Sequence, residues 1–395
     1  MNARTLSRSL NSNRAETAMR GGVLSSLILA LVFLVSSPAV AQQKPEPFRL
    51  ALPGYEFEFP RDHGSHPEFG TEWWYYTGHL TTKSGKEYGF ELTFFRVGTN
   101  RTASTNDSQW DLRDVSLAHF ALTDVRRKAF RFYEKLNRSS LFTANAAVGR
   151  LEVFNESWRA VTLPDGRVRL QADGGGDSID LVLRSMKTPA IHGENGISVK
   201  AAGLGYASHY YSLTRIEVVG RVRVANEWES CRGIAWMDHE FGSATLRESQ
   251  QGWDWFSIQF DNETELMLYQ IRKRDGSPDA TSAGSFVMAD GSVIHLRNDQ
   301  FRIKALGSWT SPASRARYPM GWQIDVLPLN LSIKVTERLR PQELLTRSST
   351  QITYWEGAVA VQGSFERTPV RGVGYVEMTG YDRAFRQPGM VSPGP

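Results

Sequence analysis

The chain contains two aromatic segments that match each other, Trp73-Trp74-Tyr75-Tyr76-Thr77-Gly78-His79-Leu80 and Trp253-Asp254-Trp255-Phe256-Ser257-Ile258-Gln259-Phe260, which lie 180 residues apart. Three further matches follow in the same order: 119–124 with 285–290, 211–220 with 354–363, and 233–238 with 372–377. The offset falls to 139 residues at the last match, as expected of a duplicated unit whose second copy has shorter loops. We therefore predict two similar domains.

Both copies show the sequence pattern of β-strands. Short runs rich in Val, Ile, Tyr, Phe and Trp are separated by turn sequences such as Lys83-Ser84-Gly85-Lys86, Pro164-Asp165-Gly166 and Ala289-Asp290-Gly291. Each copy is long enough for an antiparallel sheet to close on itself and enclose one ligand. The predicted fold class is all-β, with two tandem antiparallel β-barrel domains at residues 42–245 and 246–395.

The N-terminus has the composition of a secretory signal peptide. Four arginines precede a mostly apolar run at residues 23–35, and a series of small residues ends at Ala41. The apolar run is shorter than the roughly 20 residues that a membrane-spanning helix needs. We therefore predict that residues 1–41 are removed and that the mature protein is exported to the periplasm.

Charge and cysteine content argue against nucleic-acid binding and against an intramolecular disulfide. Residues 1–41 hold four of the 46 basic and one of the 42 acidic residues, so the rest carries 42 basic and 41 acidic side chains. That net charge of +1 gives no support for nucleic-acid binding. The single cysteine, Cys231, cannot form an intramolecular disulfide and is interpreted as a small buried residue. Because no His, Asp or Glu set has a zinc-site spacing, we expect neither a metal nor a cofactor.

Polar side chains occur where a closed barrel would have apolar ones. On a strand, alternate residues share a face, which pairs Trp236 with Asp238 and His209 with Tyr211. If both pairs point into the first barrel, aromatic surroundings raise the pKa of Asp238 and keep it protonated near neutral pH. Asp238 would then act as a general acid with His209 as its partner. The alternative is a structural Asp238–His209 hydrogen bond within a plain aromatic core.

Other residues are candidates to line the same pocket. Glu72 and His79 flank an aromatic strand that includes Trp74 and Tyr75, and Trp253 opens the second aromatic segment. We predict these five as substrate-binding residues. The expected ligand is an apolar or amphipathic small molecule, which would also allow a transient contact with a membrane surface.

Four segments carry a family resemblance. They are Thr71-Glu72-Trp73-Trp74-Tyr75-Tyr76-Thr77-Gly78-His79-Leu80, Ala207-Ser208-His209-Tyr210-Tyr211-Ser212, Gly233-Ile234-Ala235-Trp236-Met237-Asp238-His239-Glu240-Phe241-Gly242 and Gly252-Trp253-Asp254-Trp255-Phe256. Together they resemble the predicted secreted hydrolases with a lipocalin-like, AttH-type domain, which are related to carotenoid 1,2-hydratases. The resemblance implies two tandem lipocalin/calycin-like barrels.

The hydratase branch of this group implies a catalytic His-x-Trp pair and a catalytic Tyr-x-Asp pair, with the Asp as proton donor to an alkene. These positions fall on His209 and Tyr211 and on Trp236 and Asp238. The two aromatic residues are exchanged, which argues against a carotenoid substrate more than against the acid.

Residues and resemblance together predict a hydratase-like or hydrolase-like enzyme that acts on a lipid-like or isoprenoid molecule by acid catalysis. The alternative is a non-catalytic periplasmic carrier or chaperone of an apolar ligand, because the chain shows no complete nucleophilic arrangement. Asp238 distinguishes the two, since a carrier needs no ionisable group in an apolar cavity and burying an unpaired one costs a few kcal/mol.

Overall fold

The computed structural model describes residues 48–99, 113–244 and 246–386, and nearly all of its regular structure is β-strand, which confirms the predicted class. The first sheet contains β1 (Thr71–Thr82), β2 (Glu87–Gly98), β3 (Asp114–Asp124), β4 (Ala129–Arg138), β5 (Ala144–Ala146), β6 (Glu152–Asn155), β7 (Trp158–Thr162), β8 (Val168–Gly174), β9 (Asp177–Ser185), β10 (Ala190–Ile191), β11 (Ser198–Val199), β12 (Ala207–Val224) and β13 (Glu227–Gly242). The second contains β14 (Gln250–Phe260), β15 (Glu265–Lys273), β16 (Ala283–Val287), β17 (Val293–Arg297), β18 (Phe301–Thr310), β19 (Arg317–Val326), β20 (Leu331–Glu337), β21 (Glu343–Leu345), β22 (Thr353–Phe365) and β23 (Thr368–Thr379). Short 3₁₀ turns lie at Arg61–His63, Asn298–Gln300 and Leu327–Leu329.

Both sheets are antiparallel and curl into a barrel and a half-barrel, which confirms two tandem barrel-type domains. The strand order is β4-β3-β2-β1-β13-β12-β9-β8-β7-β6-β5 in the first sheet and β17-β16-β15-β14-β23-β22-β20-β19-β18 in the second. The two ends of the first sheet lie close together, as shown by the hydrogen bond of 2.7 Å that Asn137 of β4 donates to Asn155 of β6.

The two sheets repeat one pairing plan. In the first, β1 lies between β2 and β13; in the second, β14 lies between β15 and β23. The register places Tyr75 opposite Asp238 and Trp255 opposite Glu377. The matched segments of the sequence therefore occupy equivalent strands.

Alternation along β1 and β13 separates two buried surfaces. Trp74 and Met237 belong to the apolar core of the first sheet. Their neighbours Tyr75 and Trp236 belong to a cluster shared with the second sheet, where they pack with Trp255. Because successive side chains of a strand point to opposite faces, one aromatic strand supplies both the first core and the contact between the sheets.

The sheets approach each other closely at Gly89 of β2. A Cβ atom at this position would lie 2.9 Å from the Cβ atom of Ala358 and would overlap the Tyr375 hydroxyl group, so the contact requires glycine. The described residues accordingly form one compact unit. Among them no helix is long and apolar enough to cross a bilayer. The predicted signal peptide lies outside the described residues, and the division of the chain at residue 245 stays a prediction.

Candidate functional site

A cavity of about 180 Å³ lies between the two sheets and is lined by side chains from both. Tyr75 and Tyr210 line it from the first sheet, Trp255 and Tyr269 line it from the second, and Asp238 faces the same space. The interior of the barrel formed by the first sheet is filled by apolar core side chains. The predicted location of the Asp238 pocket, inside the first barrel, is therefore wrong; the cavity is formed where the sheets pack together.

Asp238 is 4% exposed and accepts hydrogen bonds from three side chains. The Tyr210 hydroxyl donates to Oδ2 over 2.6 Å, the Trp236 indole donates to Oδ1 over 2.5 Å, and the Ser212 hydroxyl also donates to Oδ1. Burial raises the pKa of Asp238 to about 7, although the three donors favour the ionised form and oppose the rise. Asp238 therefore exchanges a proton near neutral pH.

A second carboxyl group, that of Glu377 on β23, lines the same cavity. Burial raises the pKa of Glu377 to about 8, while a hydrogen bond with Trp253 opposes the rise and the nearby charge of Asp238 adds to it. Glu377 holds the position in the second sheet that Asp238 holds in the first. The cavity therefore has two carboxyl groups that titrate close to neutrality.

The cavity also contains a cation held against aromatic rings. The Lys200 ammonium group forms an ion pair of 3.0 Å with Glu240 and lies 4.2 Å from the ring centroid of Tyr269 and 5.1 Å from that of Tyr210. Burial disfavours the ammonium form, but the Glu240 carboxylate outweighs it and raises the pKa of Lys200. These ring faces are thus placed to stabilise positive charge within the cavity.

His209 and Tyr211 do not face this cavity, so the predicted meeting of His209 with Asp238 is wrong. His209 Nδ1 donates to the Gly196 carbonyl over 2.6 Å, and its ring stacks on Tyr55 at 4.3 Å. The Tyr211 hydroxyl lies 2.6 Å from Nδ1 of His63 in the core of the first sheet. The register explains the difference: Ser212 lies opposite Asp238, which puts Tyr210 and Ser212 beside the carboxyl group and turns the other pair away.

Of the five predicted substrate-binding residues, two line the cavity and three do not. Tyr75 and Trp253 line the cavity, whereas Glu72, Trp74 and His79 do not. Trp74 lies in the core of the first sheet, and Nε2 of His79 donates to the Gly374 carbonyl over 2.9 Å, which joins the two sheets.

Glu72 forms a buried cluster with His66 and His239, whose nitrogen atoms lie 2.7 Å and 2.9 Å from the same carboxylate oxygen. The Arg96 guanidinium contacts the other oxygen over 3.1 Å. Hydrogen bonds with the carboxylates of Asp62 and Glu72 raise the pKa of His66 to about 9 despite the opposing effect of burial. The positive charges of Arg96 and protonated His66 already balance these carboxylates, which favours an ion-pair network over a metal site.

The sequence interpretation missed five residues around the cavity: Lys200, Tyr210, Ser212, Glu240 and Glu377. One signal for Glu377 was available, because the repeat aligns 233–238 with 372–377 and so places Glu377 at the position of Asp238. The others depend on strand register, which no local pattern shows.

Comparisons with known proteins agree on one group. The family model described as AttH-like matches residues 50–381. The crystal structure of a protein assigned as AttH from Nitrosomonas europaea has a TM-score of 0.76 at 31% identity, covering 85% of this chain and 100% of that one.

Two relatives carry enzyme names. Kievitone hydratase from Nectria haematococca has a TM-score of 0.64 at 15% identity, covering 85% of this chain and 97% of that one, a likeness that shows the fold alone. The dehydratase asqC of Emericella nidulans is 20% identical over 222 residues, which is 53% of this chain. The present chain matches 60% of the length of that dehydratase.

Proposed function

Because the chain belongs to the AttH-like family, as its motifs predicted, we propose that it is a hydratase or dehydratase acting on an apolar small molecule. The reaction adds water to a carbon–carbon double bond or removes it from an alcohol. It takes place in the cavity between the two sheets, with Asp238 as the general acid.

The observation that carries this proposal is a carboxyl group with a pKa of about 7 in an aromatic cavity. A general acid is most effective when its pKa lies near the working pH. The dehydratase that is 20% identical over 222 residues supports the same class of reaction.

The two carboxyl groups supply complementary steps. For dehydration, Asp238 donates its proton to the leaving hydroxyl group, the C–O bond breaks and water departs. Ionised Glu377 accepts the proton from the neighbouring carbon as the double bond forms. Hydration is the reverse, with the roles of acid and base exchanged. Near neutral pH the interacting pair holds one shared proton, which the pKa values of about 7 and 8 place mostly on Glu377, as hydration requires, and in part on Asp238, as dehydration requires.

Aromatic rings assist by stabilising the positive charge that develops on carbon as the C–O bond breaks. The Lys200 ammonium group lies against Tyr210 and Tyr269, so the rings placed for the substrate are those of Tyr75 and Trp255, which also line the cavity. A cation at such a face gains about 0.5–2 kcal/mol. An apolar substrate with an allylic or tertiary alcohol, or the corresponding alkene, meets these requirements.

Oxygen exchange tests the proposal without knowledge of the natural substrate. The protein is incubated in ¹⁸O-labelled water with a panel of isoprenoid alkenes and allylic or tertiary alcohols, and mass spectrometry measures incorporation of the label. We expect incorporation with the wild type and a loss of at least about 100-fold in Asp238→Asn, the contribution typical of a general acid.

Asp299→Asn is the matched control, because it makes the same chemical change at a side chain that is 73% exposed. It should exchange oxygen at the wild-type rate. Equal exchange by wild type and Asp238→Asn would refute the role of Asp238.

A second candidate function is transport of an apolar ligand without chemistry. It is favoured by the three hydrogen bonds to Asp238, which satisfy the carboxylate as a structural group would be satisfied. A carrier would retain an apolar molecule through purification, visible by native mass spectrometry, and neither the wild type nor Asp238→Asn would exchange oxygen.

The proposal includes an exported location. The signal-peptide pattern of residues 1–41 supports a periplasmic protein that meets its ligand outside the cytoplasm, including at a membrane surface. Cell fractionation tests this location.

A further inference from the structure

His192 is a buried histidine that joins the two sheets behind Asp238. Its Nε2 lies 2.6 Å from the hydroxyl of Ser212 on β12, and its Nδ1 lies 2.9 Å from the hydroxyl of Ser285 on β16. His192 is 1% exposed, and both serines are fully buried. Since Ser212 contacts Asp238 directly, a continuous line of hydrogen bonds connects the carboxyl group to the second sheet.

Two of the three hydrogen-bond partners of Asp238 are held as donors to it by their chemistry or their surroundings. The indole of Trp236 has no acceptor atom. The hydroxyl of Tyr210 accepts a hydrogen bond of 3.1 Å from the indole of Trp255, and among the described residues Asp238 is the acceptor placed for its own proton, so turning that proton away would leave it without a partner. Both arrangements suit an ionised carboxylate. A protonated carboxyl group needs a hydrogen-bond acceptor. Among these three partners, Ser212 is the one whose hydroxyl can change from donating a hydrogen bond to Asp238 to accepting one from it.

We propose that His192, acting through Ser212, changes tautomer when Asp238 gains or loses its proton. With Asp238 ionised, Ser212 donates to the carboxylate and accepts from Nε2–H, while Nδ1 accepts from Ser285. With Asp238 protonated, its O–H donates to Ser212, Ser212 donates to bare Nε2, and Nδ1–H donates to Ser285. The one proton that is taken up resides on Asp238, while the ring keeps a single proton that moves from Nε2 to Nδ1, and both ring nitrogens and the Ser212 hydroxyl have a partner in each state.

This arrangement makes His192 a positioning residue for the proposed acid. A buried polar group left without a partner costs about 1–3 kcal/mol, so an acid with only fixed donors around it would favour one protonation state. A neutral imidazole has one donor and one acceptor nitrogen and can exchange them. Burial, together with the nearby His295 and Lys200, holds the pKa of His192 well below its usual range, which keeps the ring neutral.

Local backbone geometry and ring packing hold His192 in place. The backbone N–H of His192 donates to the Tyr210 carbonyl over 2.9 Å, and the two rings pack at 4.3 Å. Gly193 follows with a φ of +81°, and a Cβ there would overlap the Ile197 carbonyl group, so the turn after His192 requires glycine.

Nuclear magnetic resonance of the full chain tests the proposal and requires no substrate. Histidine carries ¹⁵N and aspartate carries ¹³C at the side-chain carboxyl, and both signals are followed from acidic to alkaline pH. His192→Gln and Asp238→Asn assign the two residues. We expect the two ring nitrogens of His192 to exchange their protonated and bare signals at the same midpoint as the Asp238 carboxyl signal.

Two serine variants form a matched pair, because both hydroxyls are buried beside the same imidazole. In Ser212→Ala the carboxyl group should still titrate while the His192 tautomer no longer follows it. In Ser285→Ala the tautomer should still follow. If either variant fails to fold, the coincidence of the two wild-type titrations decides.

Three results would overturn the proposal: a His192 tautomer that stays constant while Asp238 titrates, an Asp238 signal that does not titrate, or equal loss of coupling in both serine variants. The inference rests on the proposed role of Asp238 as an acid, yet the two can fail separately. Coupling without oxygen exchange would refute only the enzymatic function, and oxygen exchange with a fixed tautomer would refute only the role of His192.

Discussion

Replacement of Asp238 by asparagine should change how the stability of the protein depends on pH. The carboxyl group is buried beside the cavity, and its pKa rises to about 7 in the folded state. In the unfolded chain an aspartate has a pKa of about 3.9. The asparagine side chain has nearly the same shape and does not titrate, so the pair of proteins isolates this one ionisation.

The magnitude follows from the difference between the two pKa values. Between them the folded state binds more protons than the unfolded state, so Asp238 favours folding at low pH and this contribution is lost as the pH rises through about 7. Each pH unit in that window changes the unfolding free energy by about 1.4 kcal/mol. From about pH 5 to pH 7 the wild type should therefore lose roughly 2–3 kcal/mol relative to the variant.

Urea unfolding of both proteins at several pH values measures this difference. Burial also raises the pKa values of Glu91, Glu356 and Glu377, and these groups give the wild type further pH dependence. They are present in both proteins, so the comparison largely cancels their effect. Asp299→Asn, at an exposed site, should follow the wild type at every pH.

A constant stability difference across this pH range would refute the reasoning. It would mean that Asp238 has the same pKa in the folded and unfolded states, so burial would not outweigh its three hydrogen bonds. The proposed general acid would then be ionised at neutral pH and unable to donate a proton.

Three further predictions concern other parts of the chain. Glu72→Gln removes the charge at the centre of the buried ion-pair network and should lower the free energy of unfolding in urea by roughly 3 kcal/mol. The control Glu68→Gln, at a partly exposed ion pair, should lower it by less than about 1 kcal/mol. Equal losses in the two variants would contradict the network. Burial raises the pKa of Cys231 to about 11, so its thiol should resist an aromatic disulfide reagent in the folded protein and react fully in urea; rapid labelling of the folded protein would show that the thiol is accessible. N-terminal sequencing of the protein from a periplasmic extract should begin at Gln42, and a chain that retains residues 1–41 would contradict the predicted signal peptide.

Local patterns predicted much of the fold. Alternating apolar residues and turn sequences indicated strands, and the repeat from the Trp73 segment to the Trp253 segment indicated two related sheets. The pairings of Trp236 with Asp238 and of His209 with Tyr211 on shared strand faces follow from the two-residue period of a strand. The unusual chemistry of Asp238, a carboxyl group among aromatic residues, was also visible at this level.

The location of the cavity and the partners of Asp238 were not visible in the sequence. The prediction that His209 faces Asp238 failed because it needed the register between β12 and β13, which places Ser212 opposite the carboxyl group. His192 and Glu377 were missed as neighbours because they reach the site from separate strands and loops.

The amino-acid sequence alone thus determined which residues form strands and which side chains share a face, since both depend on neighbours one or two positions away. Only the tertiary structure decided which faces meet, because strand register and the packing of one sheet on the other depend on contacts between residues far apart in the chain. For this protein, that packing put the candidate site between the two sheets, and the register of β12 against β13 gave Asp238 the partners Tyr210 and Ser212 in place of His209.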